Sequence, residues 1–362
     1  MRRKCKTVKA GNVLIGSGAP VTVQSMVNVP SYDVEGIISQ VKRLESSGCD
    51  IVRIAVPDEG SSGIFSEVKR RGVGIPLVAD IHFDYKLALL SVKNGADKIR
   101  INPGNIGEPW KIREVTEACS SRGIPIRIGV NSGSVEKKLL EKYGAPTPAA
   151  LAESALNEAD ILEKFGFSDT VISIKSSSVP TMIEAVKIVA EQSDYPIHIG
   201  VTEAGDEFDG TIKNSVGVGH LLASGIGDTI RVSLTADPAA EVKVGRKILE
   251  SLGLSSKGGV NVISCPTCGR TRIDLRKIVG EFKSEIEGID THGKNLTVAI
   301  MGCAVNGPGE AREADFGIAG ADGYGLFFKN GVPAEKVPED SIVKKLIEET
   351  KLFSEQGSDK QK

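Results

Sequence analysis

The sequence predicts an α/β fold in which an N-terminal (β/α)8 TIM barrel is followed by a small C-terminal α/β domain. Eight short runs rich in β-branched residues alternate with longer amphipathic stretches over about 250 residues. An open doubly wound sheet typically has fewer strands, so this number of units favours a closed barrel. After the barrel, a stretch of small and flexible residues at 253–260 precedes three of the six cysteines.

The elements of the barrel can be placed in order along the chain. Strands are predicted at 21–26, 51–56, 76–81, 98–102, 125–130, 170–175, 196–201 and 229–234. Helices are predicted near 34–47, 61–71, 84–94, 108–122, 148–165, 180–192, 209–223 and 238–251. Asp33, Ser61 and Asp237 are of the residue types that cap helix N-termini, and Pro238 suits a first helical position.

The glycine- and serine-containing stretch after the eighth helix marks a domain boundary. We expect a barrel domain at 1–253, a linker at 254–260 and a second domain at 261–352. Strands are predicted there at 260–264, 296–301, 315–319 and 324–329, with one helix between Cys268 and 287 and a closing helix at 338–352. The polar tail at 353–362 is expected to be disordered.

Composition excludes several classes of protein. The net charge of −2 and the 4% of aromatic residues give no basic field and no stacking surface for nucleic acid. No apolar run approaches the length of a membrane span, so we expect a cytoplasmic protein without a membrane association. Cys5, Cys49 and Cys119 are isolated, which does not resemble a disulfide framework.

Basic residues recur inside the predicted strands. Arginines interrupt apolar runs in strands 2, 4, 5 and 8, and a lysine ends strand 6: Arg53, Arg100, Arg127, Arg231 and Lys175. Buried cations without partners are costly, so they need either buried carboxylates or a bound polyanion. The first alternative pairs them with acids such as Asp50, Asp80, Asp97 and Glu203. The second is favoured because barrel active sites form at the C-terminal ends of strands, and it predicts a phosphate or diphosphate ester as ligand.

Further polar residues fall at the same predicted rim of the barrel. They are Gln24, Asp80, His82, Asn102, Asn105, Asn131, Ser134, His198, Thr202, Glu203 and Ser233. Strand alternation puts Asn131 on the face of Arg127 and Ser233 on that of Arg231. Glu203 is the best candidate for an acid because it lies among cations at a strand end. For each of the others, a hydrogen bond that holds a loop is an equally good interpretation.

The cysteine motifs indicate a reactive centre. Cys265 and Cys268 form a Cys-x-x-Cys pair, and Cys303 lies within Met-Gly-Cys-Ala-Val-Asn-Gly-Pro-Gly-Glu, which ends at Glu310. Three thiolates without an obvious fourth suit a metal or iron-sulfur centre that keeps one position open. Zinc, with His292 as a weak further ligand, and a thioredoxin-like redox pair are the alternatives. Glu310 either folds back as an exchangeable fourth ligand or caps a helical turn.

These motifs, with Ala-Asp80-Ile-His82-Phe, Arg100-Ile-Asn102-Pro-Gly-Asn105 and Arg127-Ile-Gly-Val-Asn131-Ser-Gly-Ser134, closely resemble the 4-hydroxy-3-methylbut-2-enyl diphosphate synthase family. The resemblance covers nearly the whole chain. It implies a 4Fe-4S oxidoreductase of the non-mevalonate isoprenoid (MEP) pathway. Such an enzyme converts 2-C-methyl-D-erythritol 2,4-cyclodiphosphate into 4-hydroxy-3-methylbut-2-enyl diphosphate.

The resemblance also implies roles for individual residues. The cluster ligands are Cys265, Cys268, Cys303 and Glu310, and Thr202 and Glu203 lie near the reacting carbons. The diphosphate is held by Arg53, Arg100, Arg127, Asn131, Lys175, Arg231 and Ser233. On this hypothesis a substrate oxygen replaces Glu310 on the cluster, two electrons arrive from reduced flavodoxin or ferredoxin, and Glu203 donates a proton. The family further implies a homodimer in which the two subunits share each active site.

Two other functions remain open from the residues alone. A zinc-stabilised phosphate-ester hydrolase or lyase would use the same barrel with a purely structural cysteine domain. A redox-sensing phosphometabolite-binding protein would bind a ligand without turnover. A brown protein that absorbs near 400 nm on anaerobic purification, as expected of an iron-sulfur protein, would argue against the zinc alternative.

Overall fold

The computed structural model describes residues 2–304 and 313–358, and it divides into two compact units, Met1–Leu254 and Ser255–Lys362. Each unit has its own apolar core. No helix in the described ranges is long and apolar enough to cross a membrane.

The first unit is a closed barrel of eight parallel strands, which confirms the predicted fold class. Going round the barrel from β3, the strands follow one another in sequence order until β10 closes against β3. The strands are β3 Thr22–Met26, β4 Ile51–Ala55, β5 Leu77–Asp80, β6 Lys98–Ile101, β7 Ile126–Asn131, β8 Thr170–Lys175, β9 Ile197–Ile199 and β10 Thr229–Ile230. The last two are shorter than predicted.

Helices surround the barrel because each has one apolar face that packs on the strands. Asp33, Asp84, Ser178 and Asp237 accept hydrogen bonds from backbone amides in the first turns, as N-caps do. The helices are α1 Val34–Ser46, α2 Ile64–Arg70, α3 Tyr85–Lys93, α4 Pro103–Ile106, α5 Pro109–Arg122, α6 Lys137–Tyr143, α7 Pro148–Lys164, α8 Val179–Gln192, α9 Glu207–Ala223 and α10 Pro238–Ser251. Ser61 lies inside a 3-10 turn, Gly60–Gly63, rather than at a cap.

Three aspartates hold the N-terminal ends of neighbouring strands together. Asp50 accepts a hydrogen bond from the Val23 amide at 2.8 Å, and Asp97 accepts one from the Leu77 amide at 2.9 Å. Asp228 accepts one from the Ile197 amide at 2.8 Å. These acids therefore lie at the base of the barrel, away from the C-terminal strand ends where active sites form.

A β-hairpin that the sequence did not predict covers that base. Strands β1 Thr7–Ala10 and β2 Val13–Gly16 pair in antiparallel fashion. Val8, Ala10 and Ile15 are buried against Ile51, Val78 and Val171 of the barrel. The hairpin thus seals the N-terminal end, and ligands must enter from the opposite end.

The second unit is a five-stranded sheet with helices packed on it. Its strands lie in sequence order, parallel from β11 to β13 and antiparallel from β13 to β15. The strands are β11 Gly259–Ser264, β12 Asn295–Met301, β13 Phe316–Ala321, β14 Tyr324–Lys329 and β15 Val332–Pro338, and the helices are α11 Leu275–Glu285 and α12 Ile342–Ser358.

Two predictions for this unit were wrong. β15 was missed because it is an exposed edge strand with little apolar alternation. The tail predicted to be disordered from 353 is helical up to Ser358. Leu346 and Thr350 are buried on α12, and Phe353 continues their stripe onto the core, which explains why the helix extends further.

Candidate substrate pocket and cysteine site

Six basic side chains project into the barrel from β4, β6, β7, β8 and the segment after β10. They are Arg53, Lys98, Arg100, Arg127, Lys175 and Arg231. Lys98 and Arg127 are 0% and 1% exposed. Like charges packed this closely repel one another, so the arrangement needs negative charge to offset it.

Asp80 supplies part of that charge. Its carboxylate lies 3.3 Å from Nη1 of Arg100 and 3.7 Å from Nε of Arg53. Burial alone would raise the pKa of Asp80, but Arg53, His82 and Arg100 together hold it well below its usual range. Asp80 is therefore a permanent anion in the pocket, and the alternative of a structural pair is confirmed for this acid. Asp50 and Asp97 instead contact Arg246 and Lys69.

Glu241 of α10 is a second acid, and the sequence did not point to it. Its carboxylate accepts hydrogen bonds from the Ser25 hydroxyl and the Leu234 amide, each at 3.0 Å. Nη2 of Arg231 lies 3.8 Å away. Glu241 escaped notice because it lies in the first turn of α10, where an acid is ordinary and gives no signal of a site.

The pocket contains more cations than Asp80 and Glu241 can pair with. Burial first, and then repulsion from Arg53 and other cations, lowers the pKa of Arg127 well below its ordinary value. Burial and repulsion from Arg231 do the same for Lys175. Within the described ranges, neither side chain lies within salt-bridge distance of a carboxylate. Structural pairing thus explains Arg53, Arg100 and Arg231 in part, and leaves Arg127 and Lys175 unexplained.

The hydrogen bonds also indicate that the cations of the pocket lack partners. In the part of the chain that the structure describes, several buried donor atoms lack a partner, among them Arg100 Nε, Arg127 Nε, Arg231 Nε, Lys175 Nζ and Asn102 Nδ2. Each buried donor left unsatisfied costs about 1–3 kcal/mol. A ligand rich in acceptor oxygens would satisfy them together, and diphosphate oxygens match the guanidinium geometry.

The structure places the predicted rim residues at different depths. Asn131, Glu203 and His82 are exposed, whereas Thr202 and Ser233 are half-buried. Gln24 and His198 are 1% and 0% exposed inside the barrel, so their predicted position at the rim was wrong. Glu203 has a φ of 52°, a left-handed conformation that a glutamate adopts only at a cost. Such strain is often found at functional sites.

Lys98 was missed by sequence reasoning. It begins β6 and points the same way as Arg100, two residues later on the same strand. Its amino group contacts Gln24 Oε1 at 3.3 Å and faces Arg127 and Arg53. Period-two alternation along β6, starting from Arg100, could have identified this lysine as well.

The cysteines of the second unit follow two neighbouring parallel strands. Cys265 comes directly after β11, and Cys303 lies two residues beyond β12, where Ser264 is paired with Ile300. The Gly302 amide donates a hydrogen bond to Cys265 Sγ at 3.2 Å, and the Arg272 amide donates one to the Gly302 carbonyl at 2.8 Å. The two loops are therefore joined at the same sheet edge.

The Cys268 loop turns back on itself. The Thr271 amide donates to the Cys268 carbonyl at 3.0 Å, and Thr271 Oγ1 accepts from the Cys268 amide at 3.1 Å. Cys268 is exposed, and Cys265 and Cys303 are half-buried. In residues 2–304 and 313–358, no three acidic, histidine or cysteine side chains are close enough to hold a metal ion. Glu310 lies outside the described residues, and His292 contacts Asp290.

The donor set nevertheless fits a thiolate-ligated centre. Two loops at one sheet edge supply three cysteines, and a backbone amide already points at the sulfur of Cys265. Hydrogen bonds to sulfur are one of the ways in which proteins tune iron-sulfur centres. Cys49 and Cys119 are buried elsewhere, and burial raises the pKa of each thiol to about 12.

Fold and site together define a TIM-barrel protein with a cationic pocket and a second domain that carries a cysteine site. Residues 5–246 match the sequence profile of the GcpE TIM-barrel domain, and residues 261–352 match that of the GcpE protein C-terminal domain. The chain therefore belongs to the GcpE family.

Curated relatives are similar to this chain over nearly its full length. The chain is 56% identical to the 4-hydroxy-3-methylbut-2-en-1-yl diphosphate synthase (flavodoxin) of Caldanaerobacter subterraneus subsp. tengcongensis, covering 96% of this chain and 97% of the relative. It is 52% identical to the enzyme of the same name from Geobacter sulfurreducens, covering 98% and 99%.

Among solved structures, the barrel resembles dihydropteroate synthase from Stenotrophomonas maltophilia. The TM-score is 0.50 at 14% identity, covering 68% of this chain and 98% of that one. At this identity the likeness shows the barrel fold alone.

Proposed function

We propose that this protein is a flavodoxin-dependent oxidoreductase of isoprenoid biosynthesis that opens and dehydroxylates 2-C-methyl-D-erythritol 2,4-cyclodiphosphate. The product is 4-hydroxy-3-methylbut-2-enyl diphosphate. Family membership and the names of the relatives support this reaction. The observation that carries it is the set of buried, unpartnered cations inside the barrel, which need a ligand with many anionic oxygens.

In this proposal the barrel holds the diphosphate. Arg127 and Lys175 have no carboxylate partner in the described ranges, so they gain most from an anion. The guanidinium groups of Arg53, Arg100 and Arg231 each contact an acid, Asp80 or Glu241. In this proposal their remaining N–H groups bind the ligand. Asn131 and Ser233 project from the strand ends and complete the contacts.

The second unit is proposed to hold a 4Fe-4S cluster through Cys265, Cys268 and Cys303, with Glu310 as the fourth ligand. The cluster supplies the two electrons of the reaction, one at a time, which reduced flavodoxin or ferredoxin delivers. Thr202 and Glu203 lie in the loop after β9 and are proposed to orient the reacting carbons, with Glu203 donating the proton. We also place the protein in the cytoplasm, where such carriers occur.

Because the reaction needs the cationic pocket and the thiolates in one place, we propose a homodimer in which each active site uses residues of both subunits. Mixing Glu310→Ala and Arg127→Ala subunits tests this arrangement. Partial recovery of activity in the mixed dimer supports a shared site, and no recovery argues against it.

Anaerobic iron and sulfide analysis tests the cofactor. About four irons per chain are expected, with an electron paramagnetic resonance signal of the reduced protein that the cyclodiphosphate perturbs. Cys303→Ser should lower the iron content, whereas Cys119→Ser, which alters a buried thiol of α5, should leave it unchanged. Zinc instead of iron would favour the hydrolase or lyase, and an iron signal indifferent to the substrate would favour a sensor.

Glu310→Ala separates the role of the fourth ligand from cluster assembly. Iron should remain close to the wild-type content while turnover falls sharply. Unchanged turnover with an intact cluster would rule out this role for Glu310.

A further inference from the structure

Around the arginines, the barrel interior contains further buried polar side chains, which we call the polar layer. Gln24, Lys98, Ser173, His198 and Thr229 are each at most 1% exposed and come from five different strands. The interiors of TIM barrels are normally filled by branched apolar side chains. A layer that replaces them with an amine, an imidazole and an amide therefore has a role other than packing.

Lys98 and His198 are poorly satisfied in this layer. The amino group of Lys98 contacts Gln24 Oε1 at 3.3 Å and, within the described ranges, lies within salt-bridge distance of no carboxylate. Both ring nitrogens of His198 lack a hydrogen-bond partner in the described part of the chain. A buried amine with one neutral acceptor and a buried imidazole with none are in an environment that opposes their charged forms.

The charged groups with the largest effect on these two side chains are cations. Lys98 faces Arg127 and Arg53. His198 faces Arg127, Lys175, Lys98 and Arg53. Burial first, and then this repulsion, lowers the pKa of both groups well below their ordinary values. In the free protein, protonation of either group therefore adds a charge to a pocket that already contains an excess of positive charge.

A bound diphosphate reverses that balance. Its oxygens neutralise Arg127 and Lys175, so repulsion of a further proton on a neighbouring group is replaced by attraction. We propose that Lys98 and His198 are positioning residues that take up a proton when the anionic substrate enters the barrel. The cationic charge around the ligand would then increase with the ligand's negative charge. This inference rests on the proposed function, because it needs a substrate of that chemistry.

The charge of the bound ligand changes during the reaction, and proton uptake by the protein can compensate for that change. The cyclic dianion, two electrons from the donor and one proton give the linear diphosphate trianion and water. The carbon–oxygen bond to the diphosphate breaks, and the hydroxyl group leaves as water. The product thus has one more negative charge than the substrate. Because Lys98 and His198 can bind a proton, the pocket can offset the charge of the substrate and that of the product.

Calorimetric titration in buffers of different ionisation enthalpy measures the proton uptake directly. The cyclodiphosphate is a suitable probe because its phosphoryl groups have no proton that titrates near neutral pH, so any uptake belongs to the protein. The wild-type protein should take up about one proton per site at the pH of greatest uptake. Lys98→Met should remove at least half of it and His198→Gln the remainder, whereas Lys93→Met, on the exposed end of α3, should not change it.

A second measurement tests the inference on the wild-type protein alone. The chain has four histidines, so the imidazole signals of the labelled wild-type protein can be assigned. The His198 signal should move toward that of the charged ring on binding if histidine receives the proton. Binding with no proton uptake, or with uptake unchanged in both variants, overturns the inference. Failure of the cyclodiphosphate to bind overturns the proposed function and the inference with it.

Discussion

A Cβ atom on Gly129 would lie 2.7 Å from Nε and 2.9 Å from Nη2 of Arg100. Real Cβ atoms do not approach other heavy atoms this closely, so the glycine leaves the space that the guanidinium occupies. Arg100 uses that space to donate to the Gly129 carbonyl at 3.3 Å while its other nitrogen contacts Asp80. The position of one cation of the pocket therefore depends on the absence of a side chain on the next strand.

We expect Gly129→Ala to displace Arg100 and to raise KM for the cyclodiphosphate by about tenfold, because a misplaced guanidinium loses a charge-assisted bond. Steady-state kinetics measures this. Gly63→Ala is the matched control, since nothing lies within 4 Å of a Cβ there. An unchanged KM would show that Arg100 does not need its present position.

Arg127 should reduce stability in the free protein while it supports binding. It is buried and has no carboxylate within salt-bridge distance in the described ranges, so its desolvation is not offset before a ligand arrives. Arg127→Met is expected to raise the free energy of unfolding by about 1–4 kcal/mol. The same change should lower kcat/KM by about 100-fold through loss of the diphosphate contact.

Denaturant unfolding followed by the fluorescence of Trp110, the one tryptophan of the chain, measures the stability of the barrel. Arg122→Met, an exposed arginine at the end of α5, serves as the control and should change neither quantity. A destabilised Arg127→Met would mean that the guanidinium has a structural partner.

Glu158 of α7 should give the barrel a pH-dependent stability. It is 1% exposed, and neither carboxylate oxygen has a hydrogen-bond partner in the described part of the chain. Burial, followed by repulsion from Glu136, raises its pKa to about 8. The folded state therefore binds a proton that the unfolded state releases between the ordinary glutamate pKa and about pH 8. Stability should fall across this window as pH rises.

The expected slope is up to about 1.4 kcal/mol per pH unit. Glu158→Gln should remove it, because an amide does not titrate. Unfolding free energies between pH 5 and 9, compared with Glu117→Gln on the exposed face of α5, measure the difference. If the unfolding free energy depends on pH equally in the wild type and in Glu158→Gln, a group other than Glu158 is responsible for that dependence.

The barrel could be predicted from the sequence because the period-two and period-3.6 patterns of its elements agree with their tertiary environment. The arginines were found because a charge inside an apolar strand is conspicuous. Lys98 was not, since it begins its strand and looks like a flanking residue. Glu241 was missed for a different reason: its partners, Arg231 and Ser25, are far apart in sequence and meet only when the barrel closes.

The hairpin at the base was missed because its two strands are only four residues long and its apolar residues face the barrel floor rather than a sheet neighbour. The position of His198 along the barrel axis could not be predicted from the sequence either. Alternation tells which face of a strand a residue occupies, but it does not tell how far along the barrel axis the residue lies.

The backbone of Glu203 provides the last prediction. Its φ of 52° is one that glycine adopts freely and glutamate adopts at a cost of about 1 kcal/mol or more. If the carboxylate is retained for its chemistry, Glu203→Gly should relieve the strain while abolishing its function. We therefore expect Glu203→Gly to keep or increase barrel stability and to lower kcat by about 100-fold or more.

Glu203→Gln separates the carboxylate from the backbone. It keeps the strain and the shape, so its kcat should fall as in Glu203→Gly while its stability stays at the wild-type value. Substrate affinity, measured by calorimetry, should change little in either variant because the cations of the barrel hold the diphosphate. A Glu203→Gln protein with wild-type kcat would assign proton donation to another group and leave the strained turn as a means of shaping the rim.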